Sequence, residues 1–479
     1  MSTAQTSTDP LDRSRFPADP WRLVECDPDR TDLGVTETLF TVANGYIGMR
    51  GNPEEGRHAH EHGTYINGFH ETWPIRHAEA AYGFARTGQT LVNAPDAKLM
   101  KLYVDDEPLV IGTADLESYE RSLDFRDGVL RRSLVWRTPS GKRVKVVSTR
   151  MVSMTQRHLV LLTFEVSMLS GDAPVVVSSQ LLNRQDGVDE YHGQAAAGTG
   201  LADPRKAAAF EGRVLEPRLQ MAKDDRMMLG YQCANSRMTV AVAADHVVST
   251  PDPYEVVMSD EPDLTKMVFR VDAREGSTLR IEKTVAYHTS RGLPVRELSD
   301  RCRRTLDRAA RVDNEHWLAE QRDWFDAFWA SADVEVDTGD ETSDAVQQAI
   351  RFNLFTLAQA SARADGLGVA AKGVTGSGYE GHYFWDTEVY VAPFLTYTRP
   401  ELARNLMLFR SRMLPAARER AAEMSQRGAL FPWRTINGEE ASAYYAAGTA
   451  QVHIDADVAH ALVQYVSATG DEELLVRHG

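Results

Sequence analysis

The residues most able to do chemistry lie late in the chain. Gly381-His382-Tyr383-Phe384-Trp385-Asp386-Thr387-Glu388 is followed downstream by Phe431-Pro432-Trp433-Arg434 and then by Asn437-Gly438-Glu439-Glu440. Sugars are held by this mixture of side chains: an aromatic plane covers the C–H face of the ring, while carboxylates, amides and arginine take the hydroxyls through charge-assisted bonds. Trp385 beside Asp386, where a helix should begin, suits that task. Standing alone, the segment has a plainer reading, in which Asp386 and Glu388 complement a helix N-terminal dipole and Trp385 fills core. The downstream aromatics and carboxylates argue for the sugar.

Other constellations carry less. Gly376, Gly378 and Gly381 spell G-x-G-x-x-G, but a dinucleotide fingerprint needs a preceding strand within a βαβ unit, and a helical stripe and a loop precede it. His58, His60 and His62 alternate as ligands on a strand could, yet Gly56 and Gly63 flank them, so a solvated loop is the reading and no metal is expected. Covalent acyl chemistry is disfavoured, because no Gly-x-Ser-x-Gly elbow or Cys-Gly-x-Cys context occurs.

These loops need a scaffold. With 479 residues, 43% apolar and 25% charged, the chain is long enough for at least two globular domains. Asp plus Glu number 69 against 53 Lys plus Arg, a net charge of −16 that disfavours nucleic acid and anionic membranes as partners. Three scattered cysteines give neither a disulfide framework nor a zinc cluster. No secretory leader or bilayer-spanning run is legible, so the cytoplasm is the expected location.

From about Trp21 to Val285 short runs of period two alternate with turns. Leu130 to Thr138 and Arg143 to Arg150 flank Pro139-Ser140-Gly141 as a hairpin, and Asp127-Gly128 signals a second, two-residue one. Many short strands without intervening helices predict an antiparallel all-β sandwich, residues 1–290. The period then lengthens. Leu298, Cys302, Leu306, Trp317, Trp324, Phe328 and Trp329 predict a helical linker, residues 291–340, whose aromatic face packs on the next domain. The remainder, 341–479, is helical: Val346, Ile350, Leu354 and Leu357 form one stripe, a helix runs from Pro400 up to Pro415, and another spans about Val452 to Thr469. The long loops Gly366 to Trp385 and Gly428 to Gly448 lie between helices, where function is expected.

Three blocks give these expectations a family. They are Glu37-Thr38-Leu39-Phe40 through Asn44-Gly45-Tyr46-Ile47-Gly48-Met49-Arg50-Gly51, the run KGVTGSGYEGHYFWDTE at 372 to 388, and PWRTINGEEASAYYAAGTAQVHIDAD at 432 to 457. The chain resembles the α-glucoside phosphorylases of glycoside hydrolase family 65, the group holding maltose, trehalose and kojibiose phosphorylases. The resemblance implies a β-sandwich joined by linker helices to an (α/α)6 barrel, here incomplete. It implies that Trp385 and Asp386 hold the glucosyl unit, and that Trp433, Arg434, Glu439, Glu440 and His453 shape the neighbouring sugar site. It implies no cofactor, inorganic phosphate as co-substrate, a disaccharide α-glucoside as substrate, and a homodimer for the full-length protein.

The implied reaction is an inverting single displacement: an acid protonates the glycosidic oxygen while phosphate attacks the anomeric carbon from the opposite face. The family's general acid, a glutamate in a Gly-Pro-Asp/Asn-Glu-Tyr segment, is expected beyond Gly479, as is the phosphate site. The 479-residue chain is therefore expected to be inactive alone, although Glu388 and Glu440 have the chemistry of an acid. The alternatives are a trehalase-like hydrolase on the same scaffold and a non-catalytic carbohydrate-binding fragment. Tyr444 and Tyr445 are expected to tune acceptor choice.

Overall fold

A computed structural model of the chain describes residues 9–28, 32–56, 59–75, 77, 83–184, 213–442 and 451–479. Among them, three antiparallel sheets precede a run of helices. The largest sheet has nine strands in the spatial order Arg22–Glu25, Asp115–Asp124, Val129–Arg137, Arg143–Val152, Leu159–Ser170, Thr278–Ser290, Thr239–Ser249, Arg226–Cys233 and Leu215–Lys223. A five-stranded sheet runs Tyr254–Glu261, Leu264–Ala273, Ala173–Leu182, Met100–Val104 and Glu107–Pro108. The third has four short members, Val42–Ala43, Ile47–Met49, Thr64–Pro74 and Thr87–Asn93.

Strand periodicity explains how the two larger sheets meet. Leu134, Trp136, Val144, Val146, Phe164 and Val166 from the nine-stranded sheet share one core with Leu102, Val175, Val177, Phe269 and Val271 from the five-stranded sheet. Further along Val129–Arg137 and Arg143–Val152 the same face turns from apolar to charged, with Arg132 and Arg150 both buried. Arg132 grips Glu55 at 2.8 and 2.6 Å, and Arg150 reaches Glu54 at 2.6 Å and the Arg50 and Asn52 carbonyls at 2.8 Å each. Buried guanidinium groups persist only when so paired. The segment 50–55 is thereby anchored in the sheet.

The hairpin through Pro139-Ser140-Gly141 forms, with Thr138 and Lys142 bonded across it and Gly141 at φ 83°. The Asp127-Gly128 turn departs from the two-residue expectation. Asp124 pairs with Val129, leaving a four-residue connection in which only Gly128 adopts positive φ, 62°. The Asp127 carboxylate instead accepts the Val129 amide at 3.0 Å, a turn that asparagine and aspartate make readily.

Eight helices are described: α1 (Leu33–Leu39), α2 (Val295–Ala309), α3 (Asn314–Ala332), α4 (Ser343–Ser361), α5 (Ala392–Thr398), α6 (Pro400–Glu423), α7 (His453–Thr469) and α8 (Glu472–His478). The linker helices pack back onto the sheet as well as forward. In α2, Leu298, Cys302 and Leu306 lie on Met228 and on Ala241, Ala243 and Ala286, three small residues that let a helix approach. In α3, Trp317 covers Val129, Met151 and Leu161, and the Trp329 indole donates to the Phe125 carbonyl at 2.7 Å. Phe325 turns forward, stacking on Phe355 of α4 at 5.4 Å, and Trp324 lies 5.0 Å from the Arg399 guanidinium between α5 and α6.

Two helix expectations are corrected. The stripe Val346, Ile350, Leu354 and Leu357 is only half-buried; the buried face of α4 carries Gln347, Gln348, Arg351, Phe355 and Gln359, because it meets polar backbone of the β region. Helix α6 does not stop at Pro415 but continues to Glu423, since Ala417 and Ala421 extend the buried face of Met413 and offset the missing amide bond. Among the described residues no helix is long and apolar enough to cross a membrane.

Candidate functional site

The two sugar-like segments are brought together by a single antiparallel bridge. The Tyr383 amide donates to the Thr435 carbonyl at 2.8 Å, and the Thr435 amide returns the bond at 3.3 Å. Beyond Tyr383 the chain enters a wide π-type turn, Thr387–Val391, with Asp386 at its start. Trp385 is half-buried and Asp386 exposed, and the Asp386 carboxylate has no hydrogen-bond partner among the described residues. Trp385 meets the His453 ring edge to face at 5.1 Å, so the first turn of α7 joins the cluster. Phe384 is flanked edge-on by Trp433 and by Tyr379, each at 5.7 Å, with the Arg434 guanidinium 6.0 Å from its ring. The outcome is an aromatic wall beside an open carboxylate.

Glu388 and Glu440 lie differently from open site groups. The Glu388 carboxylate is buried and takes Arg410 of α6 in a fork, Nε to Oε1 and Nη2 to Oε2, both at 2.7 Å, while Nη2 also donates to the Phe384 carbonyl at 3.1 Å. Glu440 is buried as well, accepting the Trp433 amide at 2.7 Å and the Ser442 amide at 2.9 Å. Burial pushes its carboxyl up to about 7 against the pull of those amides. It closes the loop that presents Trp433 and Arg434. Glu439 is exposed, its backbone fixed by the Asn437 side chain at 2.9 Å.

Arg434 is held rather than free. Its Nη2 donates to Glu380 and, at 3.4 Å, to the Tyr379 carbonyl, the oxygen that also accepts His382 Nδ1 at 2.8 Å. Tyr379 and Glu380 both adopt left-handed backbone, φ 51° and 56°, which aims that carbonyl and carboxylate at the arginine. Burial, then Arg434, pulls His382 down to about 3, so it is neutral. Glu380 carries no signal of its own in the sequence and His382 only stands within the run 381–388; the turn reveals their convergence on Arg434 and the Tyr379 carbonyl.

The β region buttresses the segments 374–383 and 436–437 of this site, which accounts for the first block. Arg50 donates to the Thr375 carbonyl at 2.8 Å, and Glu37 holds the His60 and Glu61 amides at 2.7 and 3.0 Å. A Cβ on Gly48 would fall 1.9 Å from the Val374 carbonyl oxygen, so only glycine fits there. Asn67 accepts the Tyr383 hydroxyl at 2.7 Å, and Gln89 bonds the turn after Thr435. His62 is buried, correcting the expectation of a solvated loop, whereas His60 is exposed; His58, Tyr444 and Tyr445 lie outside the described residues.

Residues 23–328 match the N-terminal domain of glycosyl hydrolase family 65, and residues 351–479 match its central catalytic domain. The chain belongs to glycosyl hydrolase family 65. An uncharacterised glycosyl hydrolase of Mycobacterium tuberculosis is 40% identical over 463 residues, covering 96% of this chain and 56% of that protein. The α,α-trehalose phosphorylase of Thermoanaerobacter brockii is 37% identical over 468 residues, covering 97% and 59%. The kojibiose phosphorylase of Halothermothrix orenii is 28% identical over 485 residues, covering 96% and 57%. A solved structure from the human microbiome, of a protein provisionally assigned as a kojibiose phosphorylase, shares the fold at TM-score 0.84 and 22% identity, covering 97% of this chain and 58% of that one. The family 65 chain thus spans somewhat more than half the length of these relatives.

Proposed function

We propose that this family 65 chain supplies the glucosyl-holding part of an inverting α-glucoside phosphorylase, with inorganic phosphate as co-substrate and no cofactor. The observation that carries the reading is Asp386, a solvent-facing carboxylate without a hydrogen-bond partner among the described residues, next to Trp385 at the mouth of an aromatic wall. Trp385 covers the C–H face of the glucosyl ring and Asp386 takes its hydroxyls; Trp433, Arg434, Glu439 and His453 border the second ring. Glu440 serves that border through the backbone it holds.

Cleavage proceeds by protonation of the glycosidic oxygen while phosphate attacks from the opposite face, giving β-glucose 1-phosphate. Phosphate is already a charged nucleophile, so the protein's task toward it is placement. Neither Glu388 nor Glu440 is the acid: the first is neutralised by Arg410, the second is turned into its own loop. The proposal therefore includes saccharide binding without phosphorolysis by residues 1–479 alone, an (α/α)6 barrel and a homodimer for the full-length protein, and the cytoplasm as its place.

Titration of the chain with glucose, followed by tryptophan fluorescence, tests the site. Asp386→Asn should weaken binding roughly 10- to 100-fold, the worth of charge-assisted bonds. Unchanged affinity in both Asp386→Asn and Trp385→Ala removes the sugar site. In the full-length protein, glucose release from trehalose, kojibiose or maltose at one rate with and without phosphate would make the enzyme a hydrolase.

A further inference from the structure

The turn that follows Thr435 packs Ile436 on Phe409 and Met413 of α6, but a side chain from the β region bonds its backbone amides. Gln89, in the strand Thr87–Asn93 of the four-stranded sheet, is fully buried beneath it. Its Oε1 accepts the Ile436 amide at 2.6 Å and the Asn437 amide at 3.2 Å, and its Nε2 donates to Asn437 Oδ1 at 2.8 Å. That Asn437 oxygen in turn accepts the Glu439 amide at 2.9 Å. One side chain from the β region thereby fixes three successive parts of a turn lying between Arg434 and Glu440. An amide is suited to this position because it presents an acceptor and a donor side by side.

We infer that Gln89 is a positioning residue for recognition of the second sugar ring of the disaccharide, acting through the turn 435–440. The inference rests on the proposed saccharide site. The first ring is served by separate anchors: Tyr383 is tied to Asn67, and Glu388 to Arg410, below Trp385 and Asp386. Loss of Gln89 leaves those anchors in place. It strands the buried Ile436 amide and the part-buried Asn437 amide, and the turn moves outward to find water for them. Arg434 and Glu439, on either side of the turn, then lose their register with the second ring.

The test compares glucose with trehalose, kojibiose and maltose as probes, each titrated into the chain and into Gln89→Leu. The expected result is glucose affinity within twofold of the parent and affinity for the preferred disaccharide lowered about tenfold, as the loss of one to two net hydrogen bonds implies. Asn437→Ala removes one of the three Gln89 bonds, and with it the acceptor of the Glu439 amide, from the half-buried loop side without touching the sheet, and should lower disaccharide affinity about threefold with glucose again unchanged. This second variant decides the matter where Gln89→Leu folds poorly. A purely structural role predicts equal losses for glucose and disaccharide, and that result overturns the inference, as does full disaccharide affinity in both variants; the saccharide site itself survives the latter. Failure of the parent chain to bind any of the four sugars overturns the site and the inference together.

Discussion

Glu388→Ala should be among the most damaging single changes in the helical region. It strands the Arg410 guanidinium, 2% exposed, after removing both oxygens of a fork made at 2.7 and 2.7 Å. Two contacts to uncharged groups remain, Nη2 to the Phe384 carbonyl at 3.1 Å and Nη1 to the Met413 sulfur at 3.7 Å. Breaking one side of such a pair costs about 3–5 kcal/mol, because the surviving charge stays in low dielectric. Replacing both partners, as in Glu388→Met with Arg410→Met, leaves no buried charge and should recover at least half of that loss. Urea unfolding of Glu388→Met, Arg410→Met and the double variant, followed by tryptophan fluorescence, gives the coupling energy of the cycle. Zero coupling, or a Glu388→Ala cost under about 1 kcal/mol, would refute the pairing. Glu388→Gln separates this role from that of a proton donor: an acid would lose chemistry with stability intact, whereas the fork predicts lost stability first.

Acid should loosen the seam between α2 and the large sheet. His158 and His288 stack at 3.8 Å; burial, then Arg157, pulls His158 down to about 4, while burial, then His158, lowers His288. Both are neutral when folded, with Arg301, Arg304, Arg308 and Arg363 also disfavouring their charge, so the folded state binds fewer protons than the unfolded one. Stability from them is present above about pH 6.5 and lost as pH falls toward 4, about 2–3 kcal/mol for His158 alone. Urea midpoints near pH 7 and pH 4.5 should show the drop, and His288→Phe should flatten it; an equal slope in the variant removes the explanation. Gly48→Ala should cost about 1–3 kcal/mol by overpacking against the Val374 carbonyl and expose residues 372–381 to proteases. Parental stability and proteolysis would show that the two regions do not touch there.

Periodicity carried much of the fold, since strands such as Arg143–Val152 and Leu159–Ser170 advertise one face each through alternating valine and leucine. It misled where burial is polar. Arg150, Gln348 and Gln359 lie inside because each has a partner distant in sequence, and a one-dimensional pattern cannot display such a partner. The same limit governs the site. Trp385, Asp386, Trp433 and Arg434 were legible from residue type, and the bridge at Tyr383 and Thr435 joins their segments. Glu440 reads identically to a solvent-facing loop acid until its two amide partners are seen. Gln89 gives no local signal, being one polar residue in a short strand.

The contacts of Gly48 with Val374, Arg50 with Thr375, Asn67 with Tyr383 and Gln89 with Ile436 all cross from the β region to the helical region. Such a seam constrains inheritance. Shuffling halves between related genes would put one parent's amides opposite another parent's turn, so a chimera is viable only when crossover preserves all four matings. Exchanging the helical region for that of a relative therefore means exchanging the β side of the seam with it.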